Sequence, residues 1–117
     1  MRKYIQCQLR VEGLHCWKDC NIDEVKYLKN FHRHEFVIEV TKRVEGSDRD
    51  IEFIQFKHQI LKYFHQHFWS TAEQCHVFDH MSCEHIAEML IEQFKLYSCS
   101  VKEDGENGAL IIEEKYA

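Results

Sequence analysis

The sequence has no long apolar run, because none of its hydrophobic stretches comes near the roughly 18 residues that a membrane-spanning helix needs. Its first ten residues, MRKYIQCQLR, contain no apolar signal-peptide core. Positive charge is scarce as well: 15 Lys and Arg stand against 20 Asp and Glu, a formal net charge of −5. A protein that grips duplex nucleic acid needs a basic face. We therefore expect a cytoplasmic protein with neither a membrane nor duplex nucleic acid as partner.

The composition is that of a single globular domain. The 117 residues are 44% hydrophobic and 30% charged, which suits one core, and we expect one domain over residues 1–117. Six cysteines without an export signal fit a reducing cytoplasm better than a disulfide framework. Cys16 and Cys20 form a C-x3-C pair, but no second pair stands at metal-ligand spacing, and free cysteine is usually a small core residue.

Three histidines stand in phase with the apolar side of two predicted strands. In residues 3–15 polar and apolar side chains alternate, which is typical of a strand with one buried face, and His15 is on the apolar side. His32 and His34 occupy the same side of a second strand over residues 32–45. Imidazoles from neighbouring strands commonly build a zinc site with an open fourth position, although buried hydrogen bonds could satisfy them instead. The pattern favours a Zn²⁺ site at these three histidines.

The other elements complete a ββααββ order. They are a charged connection with a helical turn (18–31), a helix (51–67), a loop (68–81), a second helix (82–95) and a closing hairpin (97–114). Two antiparallel hairpins around a helix pair predict an α+β fold, a four-stranded antiparallel sheet with both helices on one face. Because the sheet edges of so small a domain stay uncovered, we expect a homo-oligomer, a hexamer or similar, formed through those edges.

Family-like motifs occur in five segments, VEGLHCW, FHRHEFVIEV, DIEFIQFKHQI, SCEHIAEML and CSVKEDGENGA. With the ββααββ order they resemble the T-fold 6-pyruvoyl and 6-carboxy tetrahydropterin synthases. The resemblance implies zinc ligation by His15, His32 and His34. It also implies that Glu103 holds the guanidine-like edge of a pterin, and that the activity is that of a synthase-type lyase.

The chain departs from these enzymes at the residues that would transfer protons. The family places a reactive cysteine a few residues before the H-x-H, a position that falls near Leu28. Cys16 and Cys20 come too early in the chain, unless the connection folds back. It also pairs an aspartate with a histidine after the first helix, where the segment FHQHFW has Gln66 between His65 and His67. Without a thiol and an acid at these places, the pattern favours a binding protein on an enzyme scaffold.

A second resemblance leads to the same expectation. The segments EGLHCWKDC, DEVKYLKNFHRHEFVIEV and DRDIEFIQFK are similar to small phage proteins of the Thoeris anti-defence kind. It implies an oligomeric sponge that binds a cyclic ADP-ribose isomer or cyclic oligonucleotides at subunit interfaces. Trp17 would stack on a base, and Arg33, Arg43 and Arg49 would pair with phosphates. Packing for Trp17 and an interface salt bridge for Arg33 are the ordinary alternatives.

Three functions follow from these patterns. The first is a non-catalytic sponge that sequesters a nucleotide-derived immune signal, in the host cytoplasm if the protein is phage-encoded. The alternative is a zinc-dependent enzyme like the tetrahydropterin synthases, with a pterin-like ligand. The third is a purely structural oligomer without a small ligand.

Overall fold

The computed structural model describes all 117 residues, Met1–Ala117. Its α-helices are α1 (Phe53–Phe68) and α2 (Cys83–Phe94), and short 3₁₀ helices span Asp23–Lys29 and Glu114–Tyr116. Its strands are β1 (Lys3–His15), β2 (His32–Val44), β3 (Trp69–Ser70), β4 (Cys75–Asp79), β5 (Ser98–Glu103) and β6 (Asn107–Ile112). None of the helices is both long enough and apolar enough to cross a membrane.

All six strands form one mixed sheet in the order β3-β4-β1-β2-β5-β6. Neighbouring strands are antiparallel except for β1 and β4, which are parallel. The four-stranded antiparallel sheet expected from the sequence is therefore wrong. The two additional strands come from residues 68–81, which the sequence pattern assigned to a loop.

The physical reason lies at the end of β1. There β4 pairs with β1 through Gly13 and Leu14, and the register shifts between Leu14 and His15. This pairing satisfies backbone groups of β1 that would otherwise form an open sheet edge. Because the buried residues of β4 are Cys75 and Phe78, three positions apart, the strand lacks the alternation that identifies strands in a sequence.

The core lies between the helices and one face of the sheet. Helix α1 packs on β1 and β4, and α2 packs on β5 and β6. The largest fully buried side chains are Leu9, Phe36, Ile38, Val40, Ile60, Phe64, Phe78, Ile86, Leu90, Ile91, Leu96 and Val101. Burying one such side chain contributes about 1.5–3 kcal/mol. Apolar and polar side chains alternate along β1, β2 and β5, so the apolar face of each strand packs against the helices.

The first helix buries only part of its apolar residues. Its buried residues are Phe56, Ile60 and Phe64, one helical turn apart. Phe53 and Ile54, although apolar, are 55% and 57% exposed. Both lie in the first turn, which the Glu52 side chain caps by accepting from two backbone N–H groups.

Candidate metal centre and its cavity

Three histidines meet where β1 ends and β2 begins. The register places His15 opposite His32 and Gly13 opposite His34, so all three side chains fall on one face of the sheet. The ring centroids are 4.6 Å apart for His15 and His32, 5.3 Å for His15 and His34, and 4.9 Å for His32 and His34. One ring nitrogen of each lies within 4.8 Å of the other two. The cluster can hold a metal ion.

Nδ1 of each ring lies within hydrogen-bonding distance of an oxygen atom. The distances are 2.9 Å from His15 to the Met81 carbonyl, 2.8 Å from His32 to the Asn30 carbonyl and 2.7 Å from His34 to the Asp104 carboxylate. Because these oxygens only accept, Nδ1 donates the hydrogen bond, and Nε2 of a neutral ring keeps its lone pair. The Nε2 atoms of His15 and His34 are buried and make no hydrogen bond. These lone pairs fit a metal ion, and the outer oxygens orient the rings as they do in known metal sites.

The surroundings favour the ligand forms of these groups. Burial lowers the pKa of His15, so the ring stays neutral to a lower pH than a free imidazole. Hydrogen bonds from the Glu35 backbone N–H, and next from His34, lower the pKa of Asp104. Asp104 is therefore an ionised acceptor for the His34 ring.

The Glu103 carboxylate, at the end of β5, reaches the same cluster. Its Oε2 lies 2.9 Å from Nε2 of His34, and its Oε1 lies 3.5 Å from Nε2 of His15. The Cys83 thiol donates to Oε1 at 3.6 Å. Burial, and then the negative charge of Glu103, raise the pKa of Cys83 to about 12, so this sulfur remains a protonated donor.

A cavity of about 470 Å³ opens beside the histidines, within the range of small-molecule sites. Its lining residues are His15, Cys16, Trp17, Leu28, His32, His80, Met81, Ser82, Cys83, Glu84, Glu103, Asn107 and Gly108. No lysine or arginine belongs to this lining, whereas two glutamates do. The cavity therefore suits a ligand with hydrogen-bond donors better than a phosphate.

A thiol and an imidazole form part of the cavity wall. Cys16 Sγ lies 3.4 Å from Nδ1 of His80, whose Nε2 is 3.8 Å from a carboxylate oxygen of Asp79. The Trp17 N–H donates to the Leu28 carbonyl at 2.7 Å, because the connection between β1 and β2 folds back on itself. Cys16 therefore lies close to where the resemblance places a reactive cysteine.

The histidine of this wall and the aspartate beside it were missed from the sequence. Asp79 is the last residue of β4, and His80 follows it two positions before Ser82, which caps α2. The signal that could have found them was this Asp-His pair between an apolar segment and a helix cap. The fold thus brings a thiol and a carboxylate toward the histidine cluster from other parts of the chain than the segments before the H-x-H and after the first helix.

The residues proposed for a nucleotide ligand do not come together. Trp17 lies at the cavity and is 46% exposed. The arginines lie elsewhere: Arg33 pairs with Glu12 at 3.1 Å, Arg43 donates to the Ala117 carbonyl at 2.7 Å, and Arg49 pairs with Asp48. None of the three lines the cavity.

Comparisons with known proteins assign the chain to no family. No protein-family model matches it, and no curated protein sequence matches it. The side chains of the site are therefore the guide to function.

Proposed function

We propose that the chain is a zinc-dependent enzyme that acts on a small heterocycle with an oxygen-bearing side chain, as the tetrahydropterin synthases that its motifs resemble do. One observation carries the proposal. The free Nε2 atoms of the histidine cluster converge beside a cavity that also holds a thiol and an imidazole. Three imidazole ligands suit Zn²⁺, and a catalytic zinc keeps a position for substrate. When bound, the ion would polarise a substrate oxygen as a Lewis acid.

The cavity wall supplies groups for proton transfer. Cys16 can accept and return a proton at a substrate carbon next to the polarised oxygen. His80 Nδ1, at 3.4 Å, can take the thiol proton and thereby generate the more basic thiolate. The carboxylate of Asp79, 3.8 Å from Nε2 of the same solvent-exposed ring, would favour the resulting imidazolium only weakly.

The lining of the cavity supports a neutral, donor-rich substrate. A phosphate would meet the carboxylate of Glu84 without any lysine or arginine to balance it. Amino-substituted ring edges, such as that of a pterin, donate hydrogen bonds that carboxylates accept. Trp17 offers an aromatic face at the same cavity.

A non-catalytic sponge for a cyclic ADP-ribose isomer or a cyclic oligonucleotide is the second proposal. The exposed Trp17 favours it, because an aromatic ring at a cavity can stack on a base. The placement of Arg33, Arg43 and Arg49 away from the cavity weighs against it in one subunit. A phosphate would need basic residues from another copy of the chain.

We also propose a homo-oligomer, of which a hexamer is one form, joined through the edge strand β6. Leu110 and Ile112 of this strand are 61% and 51% exposed, while Ala109 and Ile111 pack on the core. An edge strand with apolar side chains on its exposed face is a surface for pairing with a further strand. A closed ring of copies would cover it.

Native mass spectrometry and a turnover assay test the enzyme proposal together. The purified protein should carry one zinc per chain, and zinc-loaded protein should convert a pterin precursor that carries no phosphate, with the conversion followed by chromatography. The variant His32→Ala, with a ligand removed, is the matched control and should do neither. Protein that binds a cyclic ADP-ribose isomer stoichiometrically, returns it intact after heating and converts no pterin would favour the sponge instead.

A further inference from the structure

We propose that Glu103 is a fourth protein ligand of the metal, so that the resting site consists of three imidazoles and one carboxylate. This inference rests on the proposed function, because it concerns the same metal site. The resemblance assigns Glu103 to the edge of a bound pterin. In the structure, both of its carboxylate oxygens lie against the histidine rings.

The position of the carboxylate follows from the sheet. Glu103 is the last residue of β5 and stands opposite Phe36, two residues beyond His34 on β2. Residues two apart on a strand share a face, so the carboxylate and the His34 ring point to the same side. The Cys83 thiol donates to Oε1 of Glu103 and holds the carboxylate in place.

The contact between these groups is favourable only with a positive charge between them, either a metal ion or a second proton on the His34 ring. With Nδ1 of His34 donating to Asp104, Nε2 of the neutral ring carries a lone pair, and an ionised carboxylate can only accept. The buried Nε2 of His34 nevertheless lies 2.9 Å from Oε2 of Glu103, a partly exposed carboxylate, without a hydrogen bond between them. The same holds for His15, whose Nδ1 donates to a carbonyl and whose Nε2 is 3.5 Å from Glu103. A metal ion facing all of these lone pairs turns a repulsive arrangement into a set of ligands.

Charge supports the assignment. Three neutral imidazoles leave both charges of a divalent ion uncompensated in a partly buried site, whereas a carboxylate ligand cancels one of them. A fourth protein ligand also fills the tetrahedral set. A substrate oxygen would then displace the carboxylate or bind as a fifth ligand. Glu103 would thereby control the access of substrate to the metal.

Metal affinity tests the inference without any substrate. Zinc binding is measured by competition with a chromophoric chelator, and the visible spectrum of the Co²⁺-loaded protein reports the ligand set. Glu103→Gln should weaken zinc binding by about 10- to 100-fold. Mutation of a residue that only hydrogen-bonds to a metal ligand already costs this much affinity, and loss of a direct ligand should cost at least as much. It should also change the Co²⁺ spectrum. Glu103→Asp, which keeps the charge on a shorter side chain, should recover part of the affinity.

The matched control is Glu106→Gln, which removes the same charge from an exposed residue of the adjacent turn. Circular dichroism checks the fold of each variant. If Glu103→Gln binds zinc as tightly as the unmodified protein and with the same Co²⁺ spectrum, Glu103 is not a ligand, and the proposed function stands. If the unmodified protein binds no zinc, the proposed function and this inference both fail.

Discussion

Cys16 Sγ lies 3.4 Å from Nδ1 of His80, although 64 positions separate the two residues in the chain. The backbone sets this distance. The Cys16 N–H donates to the Asp79 carbonyl at 2.9 Å, where β4 runs parallel to the end of β1. Because His15 immediately precedes Cys16, the same pairing places the thiol beside the histidine cluster.

The first prediction concerns this thiol. Cys16→Ala should lower turnover by about 10²- to 10⁴-fold, since it removes the proposed acid–base group. Zinc content should stay unchanged, because the three imidazoles remain. Both quantities are measured on the same preparation, by a pterin conversion assay and by elemental analysis.

Cys20→Ala is the control for that experiment. Cys20 is also a buried cysteine of the connection after β1, but it does not line the cavity. Its turnover should match that of the unmodified protein once folding is verified. Equal activity in Cys16→Ala would remove the thiol from the mechanism.

The second prediction concerns stability. A ligand that binds only the folded state stabilises it, by about 2.7 kcal/mol when its free concentration is 100 times the dissociation constant. Added zinc should therefore raise the melting temperature, and a chelator should reverse the rise. His32→Ala should abolish the shift, whereas His85→Ala, at an exposed position of α2, should retain it. Scanning calorimetry that finds the same zinc shift in His32→Ala would contradict the three-histidine site.

The third prediction is a dependence of stability on pH in metal-free protein. Burial lowers the pKa of His15 below its value of about 6.5 in the unfolded chain. Below that pH the unfolded chain takes up a proton that the folded protein still refuses, so the free energy of unfolding falls as the pH drops toward the folded pKa. Burial lowers the pKa of His76 as well and acts in the same direction.

Urea unfolding at about pH 7.5 and about pH 5.5, on either side of the unfolded value, measures this effect. The protein should be less stable at the lower pH, and His15→Gln should reduce the difference. His85→Gln, which replaces an exposed imidazole, should leave it as it is. An unchanged difference in His15→Gln would show that His15 is not the source.

The fourth prediction concerns the edge strand β6. Leu110→Glu places a charge on the exposed apolar face of this strand, and it should shift the protein from oligomer to smaller species in sedimentation velocity. Thr41→Glu adds the same charge at a partly exposed position of β2 that pairs with β1 on one side and with β5 on the other, and it should not. A monomer at micromolar concentration in the unmodified protein would rule out assembly at this edge.

Local alternation already predicted that the three histidines share one face of the sheet. In β1 and β2 a side chain's face depends only on whether its position is odd or even, since successive residues point to opposite sides. His15, His32 and His34 were therefore assigned to one face before any pairing was known. The same alternation in the sequence predicted strands β5 and β6. Beyond this, the three-histidine cluster required only the antiparallel register of two long strands. That register is strongly specified when one face of each strand is buried.

Long-range pairing decided the rest. The sequence by itself did not reveal β4, because a short strand with Cys75 and Phe78 inward shows no alternation, and its parallel pairing with β1 joins segments about 60 residues apart. That pairing brings Asp79 and His80 to Cys16 and adds two strands to the sheet. The inward face of α1 also depended on the sheet beneath it, which buries Phe56 and leaves Phe53 outside. Periodicity describes which residues share a face, whereas the partners of that face are set by hydrogen bonds and packing between distant parts of the chain.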